Sequence, residues 1–287
     1  MRSLSSGWTE RVSPQHGSVL DLDKSEIIAA LGAQRARTME LLRGASDAEW
    51  EAIVVPRWRL REVAAHLVTT DEGAITGRSF TTGFSRSATK SIAKVEVWND
   101  KQVVRWADRP IPEILDGLEK WSRRFERLVR MIPTPVGKPA FITPFGKVSL
   151  MWLFGLRVYD EWIHDEDIRR ALKRPSDDAP ASVKPVARVM IAGLPVQSTE
   201  KVTEGAKGRV AMVFEDVDYP PLGFDLTARA FGYGIDGTDA RVTGRTATLA
   251  MIAARRDAWR DVEAAGGIKI EGDRTAAEGL LDALQLV

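Results

Sequence analysis

The hydrophobic pattern of this 287-residue chain changes near residue 173. Before that point, apolar residues recur at the three- and four-residue spacing of amphipathic helices. After it, short runs of strand-forming residues alternate with helical segments. The stretch at the change, 173–184, reads KRPSDDAPASVK and is predicted to be an interdomain linker. We therefore expect an α+β chain of two domains, with an irregular segment over 1–22, a helical bundle over 23–172 and an α+β domain over 185–287.

The pattern within each half predicts individual elements. In the first half, helices are predicted from Lys24, over 59–78, near 93–108, over 112–131 and from Ser149 to Leu172. Ser46 followed by Glu49 is a capping-box pattern that begins a short helix. Residues 131–147 are rich in proline and glycine and are predicted to form a loop. In the second half, the segments GRVAMVFED, GFDLTARAF, DARVTG and GIKIEG are strand-like, and a closing helix is predicted from about Thr275.

The composition excludes several classes of function. The 41 basic residues nearly balance the 40 acidic ones, so charge does not favour binding to nucleic acid. The chain has no cysteine, which excludes disulfides, zinc–thiolate sites and a cysteine nucleophile. Any metal site must therefore use nitrogen and oxygen ligands, and any reactive thiol must come from outside the protein. The chain shows neither a signal-peptide core nor an apolar run that could span a bilayer, so we expect a cytoplasmic protein without membrane insertion.

The chain has three histidines, and two of them lie in predicted helices among apolar residues. Those two are His66 and His164, whereas His16 lies in the irregular N-terminal segment. Asp160 precedes His164 by four residues, which places both side chains near one helix face, about 40° apart. Together with His66 they would form a site of two nitrogens and one oxygen, which leaves a coordination position open for catalysis. The alternative is that both histidines are core residues and that the run DEWIHDED is a solvated acidic face.

Two motifs around these residues resemble the mycothiol-dependent maleylpyruvate isomerase family, which lies within the DinB-like superfamily of thiol-dependent metalloenzymes. The first reads W-x-x-x-x-x-P-x-W-x-x-R-E-V-A-A-H-L and ends at Leu67. The second resembles E-x-x-x-H-x-x-D-x-R-x-A and is matched at His164, Asp167, Arg169 and Ala171. The C-terminal half is similar to the sterol-carrier-like second domain of the family, most visibly over 271–281. The resemblance implies a DinB-like four-helix bundle followed by a sterol-carrier-like α+β domain.

The chain departs from the family pattern at the carboxylate ligand, because Asp160 stands where glutamate is usual. Aspartate is shorter by one methylene and reaches about 1.5 Å less far, while zinc–oxygen bonds need about 2.0–2.2 Å. Glu161 is the rival ligand, but it is rotated by about 100° from Asp160 and lies further from the direction of His164. We therefore prefer Asp160. The alternative that the metal site has degenerated stays open.

The resemblance also implies a chemistry. A divalent metal, expected to be zinc, would be held by His66, Asp160 and His164. From its position three residues after His164, near the same helix face, we also expect Asp167 to accept a hydrogen bond from a ligating imidazole on a neighbouring helix, such as that of His66. The alternative is that Asp167 forms an ordinary salt bridge with Arg169, Arg170 or another basic side chain. Mycothiol would be the cosubstrate, and its metal-bound thiol would be the nucleophile in isomerisation of, or transfer to, a small electrophile. The other hypothesis is a catalytically degenerate bundle whose C-terminal module binds a small ligand or lipid.

Overall fold

The computed structural model describes residues 22–76, 92–133, 140–143, 146–234 and 236–286. These residues form two compact units, one over Asp23–Asp177 and the other containing Asp178–Val287. The irregular segment predicted for 1–22, which includes His16, lies outside the described residues except for Leu22. The division falls within the stretch predicted as linker, and a helix already begins at Pro180.

The first unit is mainly helical. In chain order, its described elements are α1 (Lys24–Arg43), α2 (Asp47–Trp50), β1 (Ile53–Val55), β2 (Trp58–Arg59), α3 (Leu60–Thr76), α4 (Ile92–Ala107), α5 (Ile111–Met131), β3 (Ala140–Thr143), β4 (Gly146–Ser149) and α6 (Leu150–Ala171). Helix α3 packs against α4, α5 and α6, and α1 packs against α5 and α6. The long helices α1, α3, α5 and α6 therefore form a bundle, with α4 packed on α3.

Local sequence signals explain where several of these helices begin. Asp23 caps α1 by accepting hydrogen bonds from the backbone N–H groups of Ser25 and Glu26. The capping box predicted at Ser46 and Glu49 is present at the start of α2. Ser149 caps α6 through the N–H of Trp152, at 3.1 Å. Each cap satisfies donors that the first helical turn leaves unpaired, so short sequence patterns were sufficient to place these helix starts.

The prediction of a loop over 131–147 was wrong in part. Strands β3 and β4 pair in antiparallel register, with Ala140 opposite Ser149 and Thr143 opposite Gly146. The stretch is rich in proline and glycine, but Phe141, Ile142 and Thr143 are strand-forming residues. Pairing satisfies their backbone groups, and β4 leads directly into α6.

Hydrogen bonds join the last turns of α6 to the segment that follows the helix. The Glu166 carboxylate accepts hydrogen bonds from Ser176 Oγ at 2.7 Å and from the backbone N–H of Asp177 at 2.6 Å. The Trp162 indole donates to the Asp177 carbonyl at 3.2 Å. These contacts hold the last residues of the first unit against its bundle.

The second unit combines helices with a mixed sheet. Its described elements are α7 (Pro180–Lys201), β5 (Arg209–Phe214), β6 (Leu222–Asp225), β7 (Ala230–Tyr233), β8 (Ala240–Gly244), α8 (Thr246–Ala253), α9 (Trp259–Ala264), β9 (Ile268–Gly272) and α10 (Arg274–Ala283). The strands lie in the order β7-β6-β5-β8-β9, with β5 and β8 parallel and the other pairs antiparallel. Helices α7 and α10 pack against this sheet. The predicted α+β layout in two domains is confirmed.

No helix among the described residues is both long enough and apolar enough to cross a lipid bilayer.

Two helical glycines give a test of how tightly the bundle is packed. A methyl group at Gly117 of α5 would overlap the indole ring of Trp106 on α4, whereas a methyl group at Gly32 of α1 would meet nothing closer than 3.9 Å. We expect Gly117→Ala to lower the free energy of unfolding by about 1–3 kcal/mol through overpacking. Gly32→Ala should raise it by about 0.5–1 kcal/mol, because alanine favours the helix. Urea denaturation measures both, and equal effects of the two substitutions would contradict the packing described here.

Candidate metal centre

The structure brings together the three residues that the sequence singled out. His66 lies in α3, and Asp160 and His164 lie one turn apart in α6. Nε2 of His66 is 3.7 Å from Oδ2 of Asp160, and Nε2 of His164 is 3.7 Å from Oδ1 of the same carboxylate. One potential ligand atom from each residue lies within 4.8 Å of the other two. The two imidazoles meet edge to face, with ring centroids 4.9 Å apart.

The two histidines are buried, and the carboxylate is the more accessible member of the group. His66 is 5% exposed and His164 is 7% exposed. The side chain of Asp160 is 22% exposed. Burial lowers the pKa of His66 and favours its neutral imidazole. Burial alone would raise the pKa of Asp160, but the Arg157 guanidinium and the two histidines hold it well below its usual range. His66 and Asp160 are therefore neutral and ionised respectively, as metal ligands must be.

An aromatic side chain borders the pair of histidines. The ring centroid of Trp58 lies 5.1 Å from that of His66 and 6.3 Å from that of His164, with tilts of 34° and 39°. Its indole N–H donates to Oδ1 of Asp100, in α4, at 3.2 Å. Trp58 is half-buried. The sequence motif includes Trp58, but it did not predict the contacts of this side chain, because most of them are with residues distant in the chain.

Sequence reasoning also missed Arg157. Its guanidinium pairs with Asp160 through Nη1 and with Asp71 through Nε, the second contact at 3.2 Å. Asp71 also accepts hydrogen bonds from Arg35 Nη2 at 2.6 Å and from Ser122 Oγ at 3.2 Å. The signal for the first contact was present, since Arg157 and Asp160 are three residues apart on one helix. Nothing local indicated Asp71.

Glu161, the rival ligand, faces a different part of the bundle. It is fully buried, and its carboxylate accepts a hydrogen bond from Arg35 Nε at 3.2 Å. Oε2 also lies 3.9 Å from Nη2 of Arg157. The side chain is therefore engaged by arginines, and the group of converging ligand atoms contains Asp160 instead. This arrangement agrees with the helical phase inferred from the sequence.

Asp167 is buried beside a histidine, but not the one expected. Its Oδ2 lies 3.2 Å from Nδ1 of His164, three residues earlier in the same helix. The contact does not meet the geometry of a hydrogen bond, since Nδ1 of His164 has no hydrogen-bond partner in the described part of the chain. The expectation had named His66, on the neighbouring helix. Side chains three residues apart on α6 meet more readily, because they project from the same helix face.

The three side chains fit a divalent ion such as zinc. Tetrahedral zinc with bonds of about 2.0–2.1 Å places its ligand atoms about 3.3 Å apart. Nε2 of each histidine lies 3.7 Å from a different oxygen of Asp160, and one ligand atom from each residue lies within 4.8 Å of the others. The ligand atoms must therefore approach one another by up to about 1.5 Å to hold an ion. Nδ1 of His66 is buried and has no hydrogen-bond partner among the described residues. The Nε2 atoms of both rings face the carboxylate, so the nitrogens that would bind an ion already converge.

Comparison with known proteins identifies relatives of the chain. Residues 31–169 match the family described as the mycothiol maleylpyruvate isomerase N-terminal domain. A crystal structure of the mycothiol-dependent maleylpyruvate isomerase matches with a TM-score of 0.53, and a histidine-to-alanine mutant of it with 0.52. Both are 15% identical to this chain, and each match covers 89% of this chain and 96% of the other. No curated protein matches the sequence. The family resemblance is confirmed, and the structural likeness shows a shared fold.

The buried position of Glu161 predicts a pH dependence of stability. Burial raises the pKa of its carboxyl from 4.5 to about 7, although Arg35 and Arg157 oppose this shift. Between these values the folded protein keeps a proton that the unfolded chain has lost, so the contribution of Glu161 to stability falls as pH rises. We expect the free energy of unfolding of Glu161→Gln, relative to wild type, to increase from pH 4.5 to pH 7 and to level off outside that window. Denaturant titrations in the presence of a chelator measure the free energies of unfolding of both proteins. A difference between them that is constant with pH would show that burial does not raise the pKa of Glu161.

Proposed function

Because residues 31–169 match the mycothiol maleylpyruvate isomerase N-terminal domain family, we propose that this protein is a metal-dependent enzyme that uses a low-molecular-weight thiol. The thiol is mycothiol, and the reaction is isomerisation of, or sulfur transfer to, a small electrophilic substrate. The observation that carries the proposal is the convergence of His66, Asp160 and His164 on one point. The proposal places the protein in the cytoplasm, where such thiols are kept reduced.

In this proposal, His66, Asp160 and His164 hold one divalent ion, zinc, and leave a coordination position for the thiol. When bound, the ion supplies the positive charge that favours the thiolate form of a coordinated thiol. The chain contributes no sulfur of its own, since it has no cysteine. Asp167 stabilises the orientation of the His164 ring from 3.2 Å. Trp58 covers the two imidazoles and excludes water from their faces.

The thiolate sulfur would add to a carbon of an electron-poor double bond. Expulsion of the same thiolate, after rotation about the new single bond, gives the isomer. Protonation of the adduct instead leaves the carbon–sulfur bond in place and gives the transfer product. Both outcomes use the same activated sulfur, so the site supports either reaction.

We also assign the second unit to the sterol-carrier-like class and the first unit to the DinB-like class. The order of elements in the second unit supports its assignment to the sterol-carrier-like class, since α7 and the closing helix α10 pack against its mixed sheet. A module of this class would contribute binding of the substrate, while the bundle would contribute the metal ligands. The stretch around 173–184 would then serve as the connection between the two.

The proposed ligand set predicts about one divalent ion per chain after metal loading. His164→Ala should lower metal affinity by at least 10–100-fold, and Asp160→Ala should lower it similarly, because each removes a ligand. Asp160→Glu should keep or improve the affinity, since glutamate is usual in the family. Asp167→Asn should weaken binding less than loss of a ligand does. Native mass spectrometry gives the stoichiometry, and competition with a chromophoric chelator gives the affinities.

His16→Ala and Glu161→Gln are the matched controls, since the first removes a histidine and the second a carboxylate outside the ligand set. Both should bind metal like wild type. Equal binding by wild type and His164→Ala would refute the site. Greater damage from Glu161→Gln than from Asp160→Ala would show that the wrong carboxylate had been chosen.

The proposed mechanism further predicts that turnover requires an added thiol. Metal-loaded protein is mixed with candidate electrophiles, including maleylpyruvate, with and without mycothiol, while substrate and free thiol are followed. Isomerisation should regenerate the thiol, and transfer should consume it. Equal turnover without thiol would indicate hydrolysis by a metal-activated water and would contradict the thiol mechanism. Metal binding without turnover of any candidate would favour the alternative of a ligand-binding protein that has lost catalysis.

A further inference from the structure

The carboxylate of Asp160 is shared between two sets of neighbours. Oδ1 faces Nε2 of His164 at 3.7 Å. Oδ2 accepts a hydrogen bond from Nη1 of Arg157 and lies 3.7 Å from Nε2 of His66. A carboxylate can bind a metal through one oxygen or through both. Which of the two occurs depends on the other groups that its oxygens contact. Arg157 already engages Oδ2, the second oxygen that two-oxygen binding would use.

We propose that Arg157 is a positioning residue that engages Oδ2 of Asp160 and thereby directs Oδ1 alone to the metal. This inference rests on the proposed function, because it concerns how the same site holds its ion. It assigns a role to a residue outside the ligand set. The role is mechanical and electrostatic, since Arg157 contacts a ligand and not the ion.

The guanidinium is itself held in place by the core of the bundle. Arg157 is 6% exposed, and its Nε donates to Oδ1 of Asp71 at 3.2 Å. The other oxygen of Asp71 accepts hydrogen bonds from Arg35 and Ser122. Asp71 is fully buried. Because Arg35, Asp71, Ser122 and Arg157 come from α1, α3, α5 and α6, a rotation of the guanidinium would break contacts to several helices.

A fixed position of the carboxylate matters more for Asp160 than for the glutamate that is usual at this position in the family. Aspartate has one fewer torsion between backbone and carboxylate, so its oxygens depend more directly on the position of α6 and on the group that engages them. A carboxylate that also accepts a hydrogen bond from a cation donates less electron density to a metal. The ion would therefore keep more of its positive charge for the thiol, which is the property that the proposed reaction needs.

The test uses Co²⁺ as the probe, because its visible absorption responds to the number and geometry of ligands. Wild type, Arg157→Lys and Arg35→Lys are titrated with Co²⁺ in competition with a chelator, and their spectra are recorded. Arg35 is the matched control, since it pairs with Asp71 and Glu161 in the same buried network but not with Asp160. Arg157→Lys should weaken binding by about 10–100-fold and shift the absorption bands. Arg35→Lys should change both less than Arg157→Lys does, even where it lowers thermal stability.

A second variant keeps the test decisive if Arg157→Lys does not fold. Asp71→Asn retains Arg157 but removes the charge that anchors its Nε, so it should shift the Co²⁺ spectrum in the same direction by a smaller amount. Wild-type spectra and affinities in Arg157→Lys or Asp71→Asn would overturn the inference, as would equal changes in Arg35→Lys. Failure of wild type to bind Co²⁺ would overturn the proposed metal site together with this inference. Binding by wild type and by every variant alike would overturn the inference alone.

Discussion

The buried ion pairs that Asp71 makes with Arg35 and Arg157 connect the helices of the first unit. Asp71 belongs to α3, and its two oxygens face arginines from α1 and α6 at 2.6 and 3.2 Å. Ser122 adds a contact from α5. The apolar core fills the space between the same helices, with Leu60 and Leu118 among its fully buried residues. Apolar packing is tolerant of direction, whereas these charges must meet at defined distances, so the network determines how the helices align.

Such a network is costly to bury. Each ion loses its hydration, and the attraction between the partners offsets this loss only when the geometry is good. Glu161 shows the balance locally, since burial raises its pKa even though two arginines face it. Asp160 shows the opposite balance, because Arg157 and the two histidines outweigh the effect of burial and hold its pKa well below the usual range. Two adjacent carboxylates in one helix thus acquire different chemistry from their surroundings alone.

The fold and the candidate metal ligands carry different kinds of information about function. The fold is similar to that of the mycothiol-dependent maleylpyruvate isomerase, in a match that covers most of both chains at 15% identity. A fold of this kind can be kept by many sequences, because many combinations of apolar residues at the right spacing fill the core of a bundle. A metal site needs particular atoms, so the proposed function depends on His66, Asp160 and His164 and not on the fold.

Features that depend on residues close together in the chain could be predicted from the sequence. Helical spacing predicted the long helices, the pattern at Ser46 predicted a capping box, and the four-residue separation placed Asp160 and His164 on one face of α6. These predictions succeeded because hydrogen bonds and side-chain directions within a helix repeat every few residues. The change of pattern near residue 173 likewise predicted an α+β chain with a helical first half.

Contacts between distant segments could not be predicted from the sequence and are seen only in the folded protein. Three kinds of contact join residues from separate elements. They are the pairing of β3 with β4, the packing of Trp58 beside both histidines, and the hydrogen bond from Arg157 to Asp71. Asp167 was expected to serve His66, but the structure places it beside His164. Such contacts depend on how helices rotate and pack against one another, and a one-dimensional pattern does not contain that rotation. The residues of the candidate site were therefore readable from the sequence, while the groups that orient them were not.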